Sequence, residues 1–205
     1  MGWKDFYQEQ VEKSTMQVRE VPVTNIRIWG IQPHGNLARP DGMFFIIAGL
    51  TIFMGDPEQR EVPNWDQPII KEIGRGCVGL IKAKGEDKFL VQFKAEPGNI
   101  TPGKVLPNSP LSASESNLKA AHGGKRPPFA EYAENPEIQW YAIPQDGGKY
   151  LGKVNKYSII EVDPAKIAVP GNCLWVTKQD CREMLGAGLI PEHLLQVFGI
   201  MYLMF

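Results

Sequence analysis

The segment FLVQFKAEPGN, Phe89 to Asn99, decides how the chain is read. Phe89, Val91, Phe93 and Ala95 recur with the period of a β-strand, while Gln92, Lys94 and Glu96 follow one another along the opposite face. At roughly 3.3 Å per residue, same-face neighbours stand about 7 Å apart, so an amide, a cation and a carboxylate form one short row. Pro97 cannot donate to a ladder and Gly98-Asn99 favours a turn, so the strand stops there. The row therefore ends at a loop, where ligands usually sit. Two readings stay open: the solvated face of an amphipathic strand, or one wall of a binding site.

Cys77 to Lys84 and Lys88 to Glu96 are strand-like runs joined by Gly85-Glu86-Asp87, which has the length and residue types of a hairpin connection. The segment from Asn99 to Pro128 is rich in Pro, Gly, Ser and Asn, with one short helix expected near Ala113 to Ala121 and ended by Gly123-Gly124. A stretch of that length without clear regular structure is usually functional or disordered, and its place directly after the polar row favours a functional one. Upstream, Val62 to Ile70, VPNWDQPII, is too rich in Pro for a central strand and reads as a loop. Its Trp65 either plugs the core or offers a stacking surface.

Met43 to Phe53 reads as one long or two short buried strands, followed by a turn at Gly55-Asp56-Pro57. Trp3, Phe6, Tyr7 and Val11 predict an amphipathic helix over residues 3 to 13. Val21 to Trp29 suggests a short extended segment broken by Pro22, and Gln32 to Gly42 a loop holding His34, Arg39 and Asp41. Ile138 to Ile143 and Tyr150 to Val162 read as later strands with a turn at Asp146 to Lys149 between them. Thr177 followed by Asp180 signals the start of a helix ending at Gly186, and Pro191 opens a last helix. That helix, running into VFGIMYLMF, is apolar on nearly all faces and calls for a partner surface, so a homodimer is expected.

The 205 residues carry a net charge of -1 at a pI of about 6.3, which fits one domain and speaks against a nucleic-acid or membrane-surface protein. A phosphate-bearing ligand must then be met by a local basic cluster. Cys77, Cys173 and Cys181 are odd in number and lack CxxC spacing, which suits free thiols in a reducing cytoplasm. The first ten residues lack a signal-peptide layout, and the longest apolar run, 12 residues from Met43 to Met54 with Gly49 inside it, cannot span a bilayer. The sequence contains no Walker loop, strand-to-helix GxGxxG or GxSxG elbow, and His34, His122 and His193 are too dispersed to suggest a metal site. His122 differs from the other two in its setting, because Gly123 and Gly124 expose backbone amides and Lys125 and Arg126 add charge suited to a diphosphate.

Taken together, DGMFF at Asp41, VPNWDQPI at Val62, FLVQFKAEPGN at Phe89, SNLKAAHGGK at Ser116 and FAEY at Phe129 resemble the NDP-hexose 2,3-dehydratase family of deoxysugar biosynthesis. The likeness covers almost the whole chain in the family's order. It implies an α+β fold similar to Nudix hydrolases, a mixed sheet packed between helices, here as a single module over residues 1–205, where family members typically carry two. It also implies a lyase acting on an NDP-4-keto-6-deoxyhexose, expected to be dTDP-linked, with no cofactor in the step itself. A separate NADPH-dependent ketoreductase would take the product. The reaction removes the acidified C3 proton and expels the C2 hydroxyl, giving a 3,4-diketo sugar.

On that likeness, Glu96 and His122 are the base and acid in either order, and Lys94 faces the enolate. Trp65 and Gln67 are candidates for nucleotide or sugar contact, Gln92, Asn99 and Asn117 for sugar hydroxyls, and Arg39, Lys125 and Arg126, with Gly123 and Gly124, for the diphosphate. The chain departs from the family where a segment like PTVQAT and an SNY triplet are usual: it has SPLSAS at Ser109 to Ser114, with Ser112 inside it, and Leu118 in place of the Tyr. Alternatives are therefore a non-catalytic sugar-nucleotide-binding module and a related keto-sugar isomerase or epimerase.

Overall fold

The computed structural model describes residues 1–204 except 57, 59, 60, 73, 100, 101 and 122. In chain order the elements are α1 (Trp3–Lys13), β1 (Gly30–Ile31), β2 (Leu37–Ala38), β3 (Phe45–Phe53), β4 (Asn64–Glu72), β5 (Cys77–Ala83), β6 (Lys88–Ala95), β7 (Val105–Asn108), β8 (Leu111–Ala113), α2 (Glu115–Leu118), α3 (Ala130–Ala133), β9 (Tyr141–Pro144), β10 (Val154–Val162), β11 (Cys173–Thr177), α4 (Lys178–Gly186) and α5 (Glu192–Met204). The class is α+β, as expected. Among the described residues the strands form two sheets, of seven and four.

Strand β6 lies inside the larger sheet and is buried on both faces. Phe89, Val91 and Phe93 enter one core with Trp3 and Phe6 of α1, Met184 of α4 and Leu194 and Val197 of α5. Leu90 enters a second core on the other face with Leu111, Phe129 and Ile160. The polar row thus begins beside Leu90, and the reading of a solvated face fails at Gln92, which is only 8% exposed, while Lys94 and Glu96 keep 27% and 41% of their side-chain surface exposed. The sheet is mixed because β5 runs parallel to β10 and antiparallel to β6. Helices α1, α4 and α5 cover one face, and α3 with its neighbouring loop covers part of the other.

The β5–β6 hairpin is present as expected, but its arms pair only at Ile81↔Leu90 and Lys82↔Phe89. Beyond that point they splay. Strand β7 pairs with the outer half of β6, from Gln92↔Asn108 to Ala95↔Val105, and β8 pairs with the start of β5. Both β7 and β8 fall in the stretch expected to lack regular strands, since Pro107, Ser109 and Pro110 conceal them. They are held by long-range ladders rather than by local preference. At the turn between them, the buried Ser109 hydroxyl donates to Gly79 O, 2.5 Å away.

The smaller sheet was not expected as a separate layer. Its order is β1-β2-β3-β4, and β4 corrects the reading of VPNWDQPII as a loop. Strand β4 pairs with β3 over nine residues, with Pro68 opposite Gly49. An edge position tolerates Pro because the missing donor need face no neighbour. Strand β3 is half-buried in alternation rather than buried throughout. The extended segment expected over Val21 to Trp29 is instead a 3₁₀ turn at Val23–Asn25 followed by irregular chain.

Helix α1 matches its expected span and is tied to α4 by Trp3 Nε1, which donates to Glu183 Oε2 at 3.1 Å. Its end meets Gly103, whose φ is 63° and where a Cβ would stand 3.0 Å from Val11 O, so only Gly suits that crossing. The three cysteines are free and buried, and burial pushes the thiols up to about 11 for Cys77 and about 12 for Cys173 and Cys181. Helix α4 opens on a complete capping box, with the Thr177 side chain accepting from Asp180 N and the Asp180 carboxylate accepting from Thr177 N. Thr177→Ala should therefore cost about 1 kcal/mol in urea unfolding. Leu90→Ala, which empties a position with no exposed surface, should cost about 2–5 kcal/mol in the same measurement.

Candidate active site

Where β5 and β6 part, the sheet leaves a polar cleft of about 350 Å³. Its walls are the start of β5, the end of β6, β8 with the first turn of α2, the 145–150 turn, the start of β10 and the first turn of α5. Lys94 and Glu96, two residues apart on β6 and its continuation, form an ion pair of 2.7 Å. Pairing extends past the strand, since Glu96 N donates to Lys104 O at 3.0 Å and Asn99 N to Glu96 O at 3.1 Å. Both side chains are thereby held on fixed backbone.

Asn108 stands opposite Gln92 in the ladder and is 2% exposed. Its Nδ2 donates to Glu96 Oε1 at 3.5 Å, and its Oδ1 meets Nε2 of His193 at 2.5 Å. The histidine belongs to the first turn of α5, where burial, and to a lesser degree Lys94, hold its pKa below the ordinary value while Glu96 and Glu192 oppose. A helix N-terminus also disfavours an imidazolium. The ring is therefore neutral at pH 7.

Each ammonium in the lining has a carboxylate partner. Lys94 has Glu96, Lys149 has Asp146 at 3.1 Å, and Lys153 has Glu72. The Lys153 side chain is only 3% exposed and also donates to Gly74 O at 3.4 Å. Burying a cation so deeply is costly without a partner, which Glu72 supplies. Lys149 differs from it in being 67% exposed, and its hydrogen bond to Asp146 raises its pKa. Gly148 N, donating to Asp146 Oδ1 at 2.8 Å, and Lys149 together lower the pKa of that carboxylate.

Of the residues singled out from sequence, Lys94, Glu96 and Asn117 line this cleft. Ser112, one of the departures, lines it as well, whereas Leu118 packs against the second core. Gln92 sits deeper in the sheet with its amide 3.5 Å from Asn172 Oδ1, and Asn99 Nδ2 donates to Lys104 O at 2.8 Å to close its own turn. Trp65 and Gln67 lie on β4 in the smaller sheet, joined by Trp65 Nε1 donating to Gln67 Oε1 at 2.7 Å. Gln67 Nε2 reaches Gly148 O at 2.8 Å, in the turn that forms one wall.

Arg39 lies outside the lining, where it grips Asp41. Gly123, Gly124 and Lys125 lie outside it too, as does Arg126, which pairs with Glu134 at 2.5 Å and donates to Leu118 O at 3.0 Å. His122 falls outside the described residues. Sequence reasoning passed over His193, Asn108, Lys149, Tyr150, Lys153 and Asn155. A signal was present for one of them: Glu192, His193 and Gln196 are the polar residues at the start of an otherwise apolar helix. Gln196 is used, accepting from the buried Tyr157 hydroxyl.

In chemical terms the cleft offers a cation, a carboxylate and a neutral imidazole on rigid elements, a set suited to proton transfer next to a developing negative charge. Among the described residues no group of His, Cys, Asp and Glu is arranged to hold a metal ion, and no helix is long and apolar enough to cross a membrane.

Three curated proteins are similar to this chain over most of its length, each named dTDP-4-dehydro-6-deoxy-alpha-D-glucopyranose 2,3-dehydratase. The one from Amycolatopsis orientalis is 29% identical over 187 residues, covering 86% of this chain and 39% of that protein. Those from Streptomyces violaceoruber and Saccharopolyspora spinosa are 26% and 27% identical over 177 residues, covering 83% and 82% of this chain. The chain spans less than two-fifths of the length of each of these last two relatives, 38% and 35%. The family model described as NDP-hexose 2,3-dehydratase matches residues 2–190, so the chain belongs to that family.

Proposed function

We propose that the cleft binds a dTDP-linked 4-keto-6-deoxyhexose and eliminates its C2 hydroxyl, making the protein a carbon–oxygen lyase of deoxysugar biosynthesis. The observation that carries this reading is the Lys94–Glu96 pair at the mouth of the splayed hairpin, inside the segment KAEPGN on which the family likeness rests. The C4 carbonyl acidifies the C3 proton, and loss of that proton leaves negative charge on the C4 oxygen. On this reading Lys94 meets that charge, and Glu96 supplies the negative charge that proton transfer needs at its side. Elimination followed by tautomerisation gives a 3,4-diketo sugar. Electrons move only within the substrate, so the step calls on no redox cofactor, and an NADPH-dependent ketoreductase would act on the reactive product.

The diphosphate must be met by a cation that can leave its carboxylate. Lys149 is the most exposed of the three in the lining and so the easiest to redirect. Arg39, Lys125 and Arg126 would reach the ligand only by a change in their present pairing or place. Ser112, Asn117 and Tyr150 also line the cleft, and on this reading Ser112 and Asn117 take sugar hydroxyls.

On this reading two copies of the chain pair into a homodimer in the cytoplasm. Helix α5 buries Leu194 and Val197 but exposes Leu195, Tyr202 and Leu203, beside an apolar groove of about 620 Å³ that also involves Leu185, Phe198 and Met201. A second copy would cover that surface. Sedimentation should show a dimer that the double substitution Leu195→Glu with Tyr202→Glu converts to monomer, and a monomeric unaltered chain would contradict it.

Incubation with dTDP-4-keto-6-deoxyglucose in deuterated water, followed by NMR, should show loss of the C2 hydroxyl. Recovery of unchanged substrate despite nucleotide binding would instead identify a non-catalytic binding module, and exchange at C3 without elimination an isomerase or epimerase. Lys94→Met and Glu96→Gln should each lower turnover by about 10²–10³-fold. Both variants should still be stabilised by dTDP, by about 2.7 kcal/mol at a hundred times its Kd.

A further inference from the structure

The elimination requires one transfer of a proton from C3 and one to the departing C2 oxygen. We propose that His193 performs both, in a tautomer fixed by Asn108 and Glu96; the proposal rests on the reading of the cleft as a 2,3-dehydratase site and names the proton carrier within it.

The tautomer follows from hydrogen-bond polarity. A carboxylate paired with Lys94 can only accept, so Asn108 turns its NH₂ toward Glu96 Oε1, 3.5 Å away. Its carbonyl oxygen, Oδ1, then faces His193 Nε2 at 2.5 Å. A carbonyl oxygen also only accepts, so Nε2 carries the hydrogen and the neutral ring keeps its lone pair on Nδ1. Asn108 cannot readily swing away, because it is buried in β7 and laddered to Gln92. The arrangement is that of a base held by an orienting group which is itself held by a carboxylate.

The ring is placed to change charge as well as to start neutral. Burial keeps it neutral before reaction, while Glu96 and Glu192 favour the imidazolium once it forms, with Lys94 opposing. The other charged groups lining the cleft are Asp146 and Lys149 on the 145–150 turn and the Lys153–Glu72 pair, each already matched in sign.

In the step itself the Nδ1 lone pair takes the C3 proton. The C3–H electron pair becomes a C3=C4 bond and the C4 carbonyl becomes an enolate oxygen facing Lys94. When the C4 carbonyl reforms, that pair moves to C2=C3 and the C2–O bond breaks. The imidazolium gives its Nδ1 proton to the departing oxygen, which leaves as water. The ring ends neutral, the proton count balances, and no outside oxidant or reductant takes part. The enol so formed tautomerises to the 3,4-diketone.

The test compares unaltered protein and His193→Gln, which retains an amide donor for Asn108 but has no base. Turnover and C3 deuterium exchange should both fall by about 10²–10⁴-fold, with dTDP affinity within about threefold. In the unaltered protein, kcat/KM should fall toward acid with an apparent pKa below the ordinary 6.5 of histidine, and the variant should lack that limb. The linkage has the same sign: the unfolded chain binds the proton first as pH drops through 6.5, so the His193 contribution to stability is lost on the acid side.

A His193→Gln protein that turns over at a rate close to that of the unaltered chain overturns the assignment while leaving the dehydratase reading intact. Unaltered protein that binds dTDP but gives neither exchange nor elimination overturns both. If the variant does not fold, the profile of the unaltered protein decides: the acid limb supports the assignment, and a rate that stays flat down to about pH 5 refutes it.

Discussion

Two residue pairs, Ile81↔Leu90 and Lys82↔Phe89, hold β5 directly to β6, and the rest of the architecture follows from how few they are. Past them the arms diverge inside a buried sheet, where unpaired backbone N–H and C=O groups would each carry a desolvation cost. Strands β7 and β8 meet that need by pairing outward onto β6 and β5. Their insertion brings Asn108 beside Glu96 and Ser112 into the lining of the cleft that Lys94 also lines. The cleft is thus the space left by a hairpin that opens and is filled only along its edges.

The same geometry sets the electrostatics. Lys94, Lys149 and Lys153 each arrive with a carboxylate, and Glu192 adds one more negative charge. A cleft so balanced has little attraction for a diphosphate through its net field. Recognition must instead come from exchanging partners, with the ligand replacing a carboxylate at an ammonium. The cost of that exchange differs along the wall. Lys153 is enclosed and fixed between Glu72 and Gly74 O, so breaking its pair would strand a buried charge. Lys149 is solvated, and releasing it from Asp146 costs little.

Much of this was legible where structure is local. The helix over Trp3–Lys13, the capping box at Thr177 and Asp180, the β5–β6 connection and the stop at Pro97 all depend on residues within one or two turns of chain. Lys94 and Glu96 were legible as a polar row running into that stop, while their place in a site, and Asn117 altogether, came from the family likeness. What escaped depends on distant partners. Strands β7 and β8 contain or adjoin Pro107, Ser109 and Pro110, and only the ladders to β6 and β5 make them strands. Strand β4 escaped because Pro63 and Pro68 argue against a strand in general, though not against an edge. His193 escaped because nothing near it in sequence announces Asn108 or Glu96; the sheet alone brings the three together.

The place of WDQP sharpens the point. Trp65 and Gln67 are the most distinctive residues of the smaller sheet, yet they line no part of the cleft. Their polar atoms form a chain instead: Trp65 Nε1 to Gln67 Oε1, then Gln67 Nε2 to Gly148 O. Three residues further along β4, Ile70 N donates to Lys149 O and Leu151 N to Ile70 O, each at 2.9 Å. The turn bearing Asp146, Lys149 and Tyr150 is therefore splinted from outside at successive points, while Asp146 Oδ1 closes it from within through Gly148 N. A solvated lysine such as Lys149 has many rotamers to lose on meeting a ligand, and fixing its backbone removes the largest other source of freedom at that wall. The second sheet thereby acts on the cleft through position: it determines where the most mobile cation begins.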